Sequence, residues 1–148
     1  MPKITAMEKL NDIVFYNIDK AIRTYRNYAQ KQLRAHGHKI TIDQWLTIKA
    51  ILENPGITQQ ELAEKIFKDN ASVTRIIEIL VQSGYLNREI NPADRRKTIL
   101  SVTDEGLSII GKVQSLVVEN RNTALAGIAA KDIETTNQVL QQIIKNSQ

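Results

Sequence analysis

The run from Thr58 to Thr103 leaves this chain few ways to fold, because its start and stop signals stand too close together for long elements. Thr58 and Glu61 have capping-box spacing: the hydroxyl accepts from a first-turn amide while the carboxylate reaches back to the cap. Leu62, Ala63 and Ile66 give that helix a buried side, and the small Ala63 lets a second helix cross close above it. Asp69 caps the second helix. Val73, Ile76, Ile77, Leu80 and Val81 recur there at helical spacing as a core face, and Ser83-Gly84 stops the helix with glycine at the left-handed position. Two strand-like runs follow, Tyr85 to Ile90 and Lys97 to Val102, joined by Asn91-Pro92-Ala93-Asp94-Arg95-Arg96. Leu86, Arg88 and Ile90 share one side of the first run; Ile99, Leu100 and Val102 supply the apolar content of the second.

The sequence before this run prepares it. A helix is expected from about Met7 to Ala35, opened by a Thr5/Glu8 box. Ile18, Ile22, Tyr25, Ala29 and Leu33 form its apolar stripe, extended upstream by Ile13 and Val14, with Lys20, Arg23, Arg26 and Lys31 on the opposite side. His36-Gly37-His38 reads as a helix end with a glycine cap; a metal site is the minor alternative, since no carboxylate or cysteine lies near in sequence. Thr41 and Gln44 box the next helix, whose buried side is Trp45, Ile48 and Leu52 and whose end is the breaker run Asn54-Pro55-Gly56. With this helix in front, the order is that of a winged helix-turn-helix.

Beyond the hairpin, Thr103 caps a helix with Asp104 and Glu105 in its first turn, where the helix dipole favours acids. It carries Ile110, Val113 and Val117 towards Leu125, and a break at 127–131 precedes a last helix with Ile133, Leu140, Ile143 and Ile144. These terminal helices bear more apolar surface than solvent tolerates, so burial against a second copy is expected. The expected fold is mainly α with a small β-hairpin. A winged helix-turn-helix core (39–103) stands between an N-terminal dimerisation helix (1–38) and C-terminal dimerisation helices (104–148).

Composition narrows the function. The 148 residues suit one domain, and the apolar and charged fractions, 42% and 24%, are those of an ordinary folded protein. Cysteine is absent, which removes disulfides, thiolate metal sites and thiol switches. No apolar run reaches the roughly 20 residues of a membrane span, and Glu8, Lys9 and Asp12 interrupt the N-terminus, so the cytoplasm is the expected location. The sequence offers no nucleophile–histidine–acid set, glycine-rich phosphate loop or metal cluster, so no enzymatic activity, cofactor or metal is expected. The net charge of +4 is weak evidence for an anionic partner. Its distribution says more: Arg88, Arg95, Arg96 and Lys97 stand on the hairpin against Glu89 and Asp94. Asn70, Ser72, Thr74 and Arg75 crowd the start of the second short helix, and such a helix end beside a basic hairpin suits a DNA groove.

The block ELAEKIFKDNASVTRIIEILVQSGYLNR, followed by NPADRRKTILSVTDEG, resembles the multiple-antibiotic-resistance regulator (MarR) family. The resemblance rests on Ser72-Val73-Thr74-Arg75, on Leu80 with Gly84-Tyr85-Leu86, on Asp94-Arg95-Arg96, and on Leu100-Ser101-Val102-Thr103 with Gly106. One departure is Ile66-Phe67-Lys68, where many members have a leucine–glycine–leucine-like turn; Phe67 is expected to anchor the turn by its apolar ring. The resemblance implies a dimeric, ligand-responsive transcriptional regulator, usually a repressor, on a pseudo-palindromic operator in double-stranded DNA. Ser72, Thr74 and Arg75 would then read the major groove, and Asn70 a phosphate or adenine. Thr58 and Gln59 would hold phosphates, and Arg95, Arg96 and Lys97 would enter the flanking minor groove with Asp94 orienting an arginine. A small effector, often aromatic or phenolic in this family, would sit near Tyr16, Ile22, Arg23, Trp45 and Lys49. The competing reading is a winged helix used for protein–protein contact, in which Arg95 and Arg96 would be dispensable.

Overall fold

The computed structural model describes residues 8–148. A 3-10 turn at Leu10–Asp12 leads into α1 (Val14–Ala35), followed by α2 (Ile42–Glu53), α3 (Gln59–Ile66) and α4 (Asn70–Gln82). A hairpin of β1 (Leu86–Asn91) and β2 (Asp94–Val102) comes next, then α5 (Asp104–Ala124) and α6 (Ala130–Ser147). The core is one cluster through α2, α3, α4, the base of the hairpin and the middle of α5, with Leu33 reaching in from the end of α1. Ile48, Leu62, Val73, Leu80 and Val113 are completely enclosed.

Caps account for most of the boundaries. Thr41 and Gln44 form the full reciprocal box, whereas Thr58 accepts from the Glu61 amide at 3.1 Å without a return bond. The first helix begins later than expected. Ile13 is extended (φ −87°, ψ 119°) and has no capping oxygen, while Nδ2 of the Asn17 side chain donates to the Asn11 carbonyl at 2.8 Å and pins the preceding turn. The Thr5 half of the expected box lies outside the described residues. At the other end, Gly37 takes φ +77° and the His38 amide donates back to the Leu33 carbonyl, which makes His36-Gly37-His38 a helix stop.

On α2 the enclosed residues are Thr47, Ile48, Ala50 and Ile51, while Trp45 and Leu52 are only half-buried. Other elements pack around α2 on several sides, so its buried surface is wider than one stripe; the Thr47 hydroxyl is satisfied by donating to the Asp43 carbonyl. The α3–α4 turn also departs from expectation. Phe67 does not anchor it: the ring is 86% exposed and the backbone is left-handed (φ 59°, ψ 42°), so Cβ points outward and the buried Ile66 packs instead.

Two of the sequence signatures meet in space. The Thr103 hydroxyl accepts from the Gly106 amide and donates to the Gly84 carbonyl at 2.6 Å, tying the start of α5 to the end of α4. A side chain at Gly106 would run into the Tyr85 carbonyl, so glycine is required for the close approach. By contrast, α6 has no buried residue along its 18 positions.

Candidate nucleic-acid interface

The first turn of α4 is held by Asp69, whose carboxylate accepts from the Ser72 amide at 2.7 Å. That amide, and then the Ser72 hydroxyl, keep the Asp69 carboxyl below the usual carboxylate range, so the cap is ionised at neutral pH. Asn70 and Arg75 stand exposed beyond it, and Ser72 and Thr74 are half-exposed. The structure joins two of the predicted contact residues: Gln59 Nε2 donates to Thr74 Oγ1 at 2.6 Å, and that hydroxyl donates to the Asn70 carbonyl at 2.9 Å. Thr74 is therefore already committed, and its methyl group is what remains for a partner. Gln59 keeps its amide oxygen free of the bond to Thr74, and Thr58, with its hydroxyl in the cap, presents the free amides of the α3 start.

The hairpin pairs in register from Leu86↔Val102 to Ile90↔Thr98, then slips so that Asn91 faces Asp94. Arg95, Arg96 and Lys97 fall in the slip, which leaves them on an irregular edge of β2 and not in the loop where the sequence suggested the first two. All three are exposed, the Arg96 side chain to 94%. The Asp94 carboxylate accepts from the Arg96 amide at 3.1 Å and lies 3.5 Å from Nε of the same residue, while Asn91 accepts from the Ala93 amide to close the turn. At that exposure the ion pair adds little stability; its effect is on where the guanidinium points. Alternation into the core holds only at the base of the hairpin, because the tip projects past the core and leaves Ile90 68% exposed.

The predicted effector residues separate into groups. Ile22 and Trp45 line one cavity of about 170 Å³ between α1, α2 and α5, together with Tyr25, Arg26, Asn120 and Arg121. Tyr16 and Arg23 are not part of it. They border a shallow groove on the outer side of α1, one position round the helix from the stripe, and Arg23 is paired with Asp19 at 2.8 Å. Lys49 lines a neighbouring concavity that shares Trp45 and is paired with Glu53. Arg26, read from sequence as outward-facing, is half-buried on the cavity and lies 3.5 Å from Asp43. The sequence reading missed Tyr25 and Arg26, although Ile22, Tyr25, Arg26 and Ala29 share a face by helical spacing. It also missed Asn120 and Arg121, which only the folding of α5 against α1 brings near. Trp45 Nε1 is buried with no acceptor among the described residues, and a polar ligand or water would relieve it.

Residues 40–98 match the model of the MarR family. That stretch is a MarR-family domain. Among curated relatives, the HTH-type transcriptional regulator TtmR of Methylorubrum extorquens is 30% identical over 88 residues, which is 60% of this chain and 45% of that protein. The PcaV transcriptional regulator of Streptomyces coelicolor, solved with its natural ligand, superposes with a TM-score of 0.79 at 18% identity, over 97% of this chain and all of that one. A DNA complex of MepR from S. aureus also gives 0.79, at 17% identity, over 90% of this chain and 98% of that chain. The shared fold thus extends past the matched residues to the flanking helices. No helix among the described residues is long and apolar enough to cross a membrane.

Proposed function

We propose that this MarR-family protein is a homodimeric transcriptional repressor that binds a pseudo-palindromic operator and is released by a small, flat, largely apolar ligand. The observation that carries the DNA reading is the bond that joins the α3 start to the first turn of α4. Gln59 is bonded to Thr74, Arg75 is exposed on the next position of α4, and Arg96 extends from the slipped edge of β2. In this reading Asn70, Ser72, Thr74 and Arg75 meet the major groove, where an arginine can pair bidentately with guanine. Thr58 and Gln59 meet phosphates, and Arg95, Arg96 and Lys97 reach the flanking minor groove. MepR, a protein of the same architecture, has been solved on DNA, which supports the reading.

The dimer is supported by α6 and by the start of α1. Val14, Phe15, Ile22, Val139 and Ile144 are all exposed, and nothing among the described residues covers them. The ligand is supported by the cavity at Ile22 and Trp45, whose walls are mostly apolar with Arg26, Asn120 and Arg121 at the polar end. Selection from random DNA tests the reading as a whole, and two half-sites about 10 bp apart are expected. Changing Arg95 and Arg96 together to alanine removes both pairs of arginines in the dimer, and should weaken binding several-fold and lower the salt slope by up to about 4. Unchanged affinity and slope would instead favour a winged helix that binds protein.

A further inference from the structure

Phe67 is unexplained by folding. Among the described residues it is the one residue other than glycine with positive φ, and its ring is the most exposed of the large hydrophobics. The turn needs the left-handed backbone, since the Lys68 amide donates to the Ala63 carbonyl at 3.0 Å and the Phe67 amide to Glu64 at 3.3 Å. It does not need phenylalanine, because glycine or asparagine would adopt the same backbone at lower cost. Nor does the ring fill a gap: Ile66 takes the core position, and Lys68 turns away to Asp43, 3.3 Å from its carboxylate. Phe67 borders a surface notch that is also lined by Gln60, from the first turn of α3, and by Asn70, from the first turn of α4.

We infer that Phe67 is a DNA-contact residue that lays its ring on apolar duplex surface, a thymine methyl group or a deoxyribose, beside the position of Asn70. The inference rests on the DNA reading above. Glu64 and Asp69 also border the notch against one cation, Lys68, whose ammonium is paired with Asp43, so phosphate finds no net attraction there, and the contact is one of apolar area. An apolar contact releases no counterions, which separates it from the arginines of the wing: it adds affinity without changing the dependence on salt.

The test compares wild type with Phe67→Gly, Phe67→Asn and Phe67→Leu on the selected operator. Glycine and asparagine relieve the backbone, so both should raise the melting temperature by a few degrees while binding about 5-fold more weakly, with the salt slope unchanged. Leucine keeps apolar area and should stay within roughly 2-fold of wild type. Replacing each operator thymine by uracil identifies the source. If one substitution weakens wild type and has no effect on Phe67→Gly, the ring meets a methyl group; if none does, it meets sugar. Variants that gain stability and bind as tightly as wild type would overturn the inference and leave the DNA reading intact. A wild-type protein that binds no duplex would overturn both.

Discussion

The winged-helix core and helix α6 are built from the same kind of amphipathic sequence, yet they end in opposite states. Leu62, Val73 and Leu80 are sealed by neighbours within the chain, whereas Val139 and Ile144 of α6 remain half-exposed or more. The difference is one of partners. Elements α2 to α5 close on one another over short connections, with Thr103 bonded across to the Gly84 carbonyl. Helix α6 follows the break at Gly127 and has no buried residue. An apolar stripe thus specifies a surface to be covered and leaves open which chain covers it.

That contrast can be broken from either side. The largest effect is expected in the core, where Leu62→Ala should cost about 4 kcal/mol in urea denaturation, since the enclosed site has little room to collapse. A loss under about 1 kcal/mol would mean that the core is looser than its burial indicates. The α6 counterpart, Ile144→Glu, should leave helical circular dichroism intact but weaken self-association by about 2–3 kcal/mol, because it places an unpaired carboxylate in the interface. Light scattering across a dilution series would register this as a shift from dimer to monomer. If the variant associates like wild type, that face of α6 is not the interface.

A smaller effect is expected at Asp69, which stabilises the start of α4 without belonging to either apolar surface. Its carboxyl is held below the usual range by the Ser72 amide and hydroxyl. A depressed folded value means that the stabilisation is present above the ordinary carboxylate pKa and is lost as pH falls through the folded one. Asp69→Ala should therefore melt below wild type at neutral pH, and the two curves should converge in strong acid. A constant gap across that range would show that the cap does not titrate.

The core was largely legible in the sequence because caps and periodicity are local. Thr41, Thr58, Asp69 and Thr103 each accept from the amide three residues on, as their spacing implied. Positions whose environment is made by distant segments were harder to read. Arg26 looked solvated until α2 supplied Asp43 as its neighbour, and Asn120 and Arg121 come to the cavity only through the packing of α5. Phe67 was misread because composition favours a buried ring, while the left-handed backbone of the turn directs it outward. The slip that exposes Arg95, Arg96 and Lys97 could not be read from strand alternation alone, since it depends on how Asn91 meets Asp94.

The central claim is that this chain is one of two paired DNA readers whose spacing the flanking helices set. Sedimentation of the full chain with a duplex carrying the selected operator tests it most directly. Two chains per duplex, together with a dimer at micromolar concentration in the absence of DNA, is the predicted result. A single chain per duplex, or a stable monomer without DNA, would contradict it.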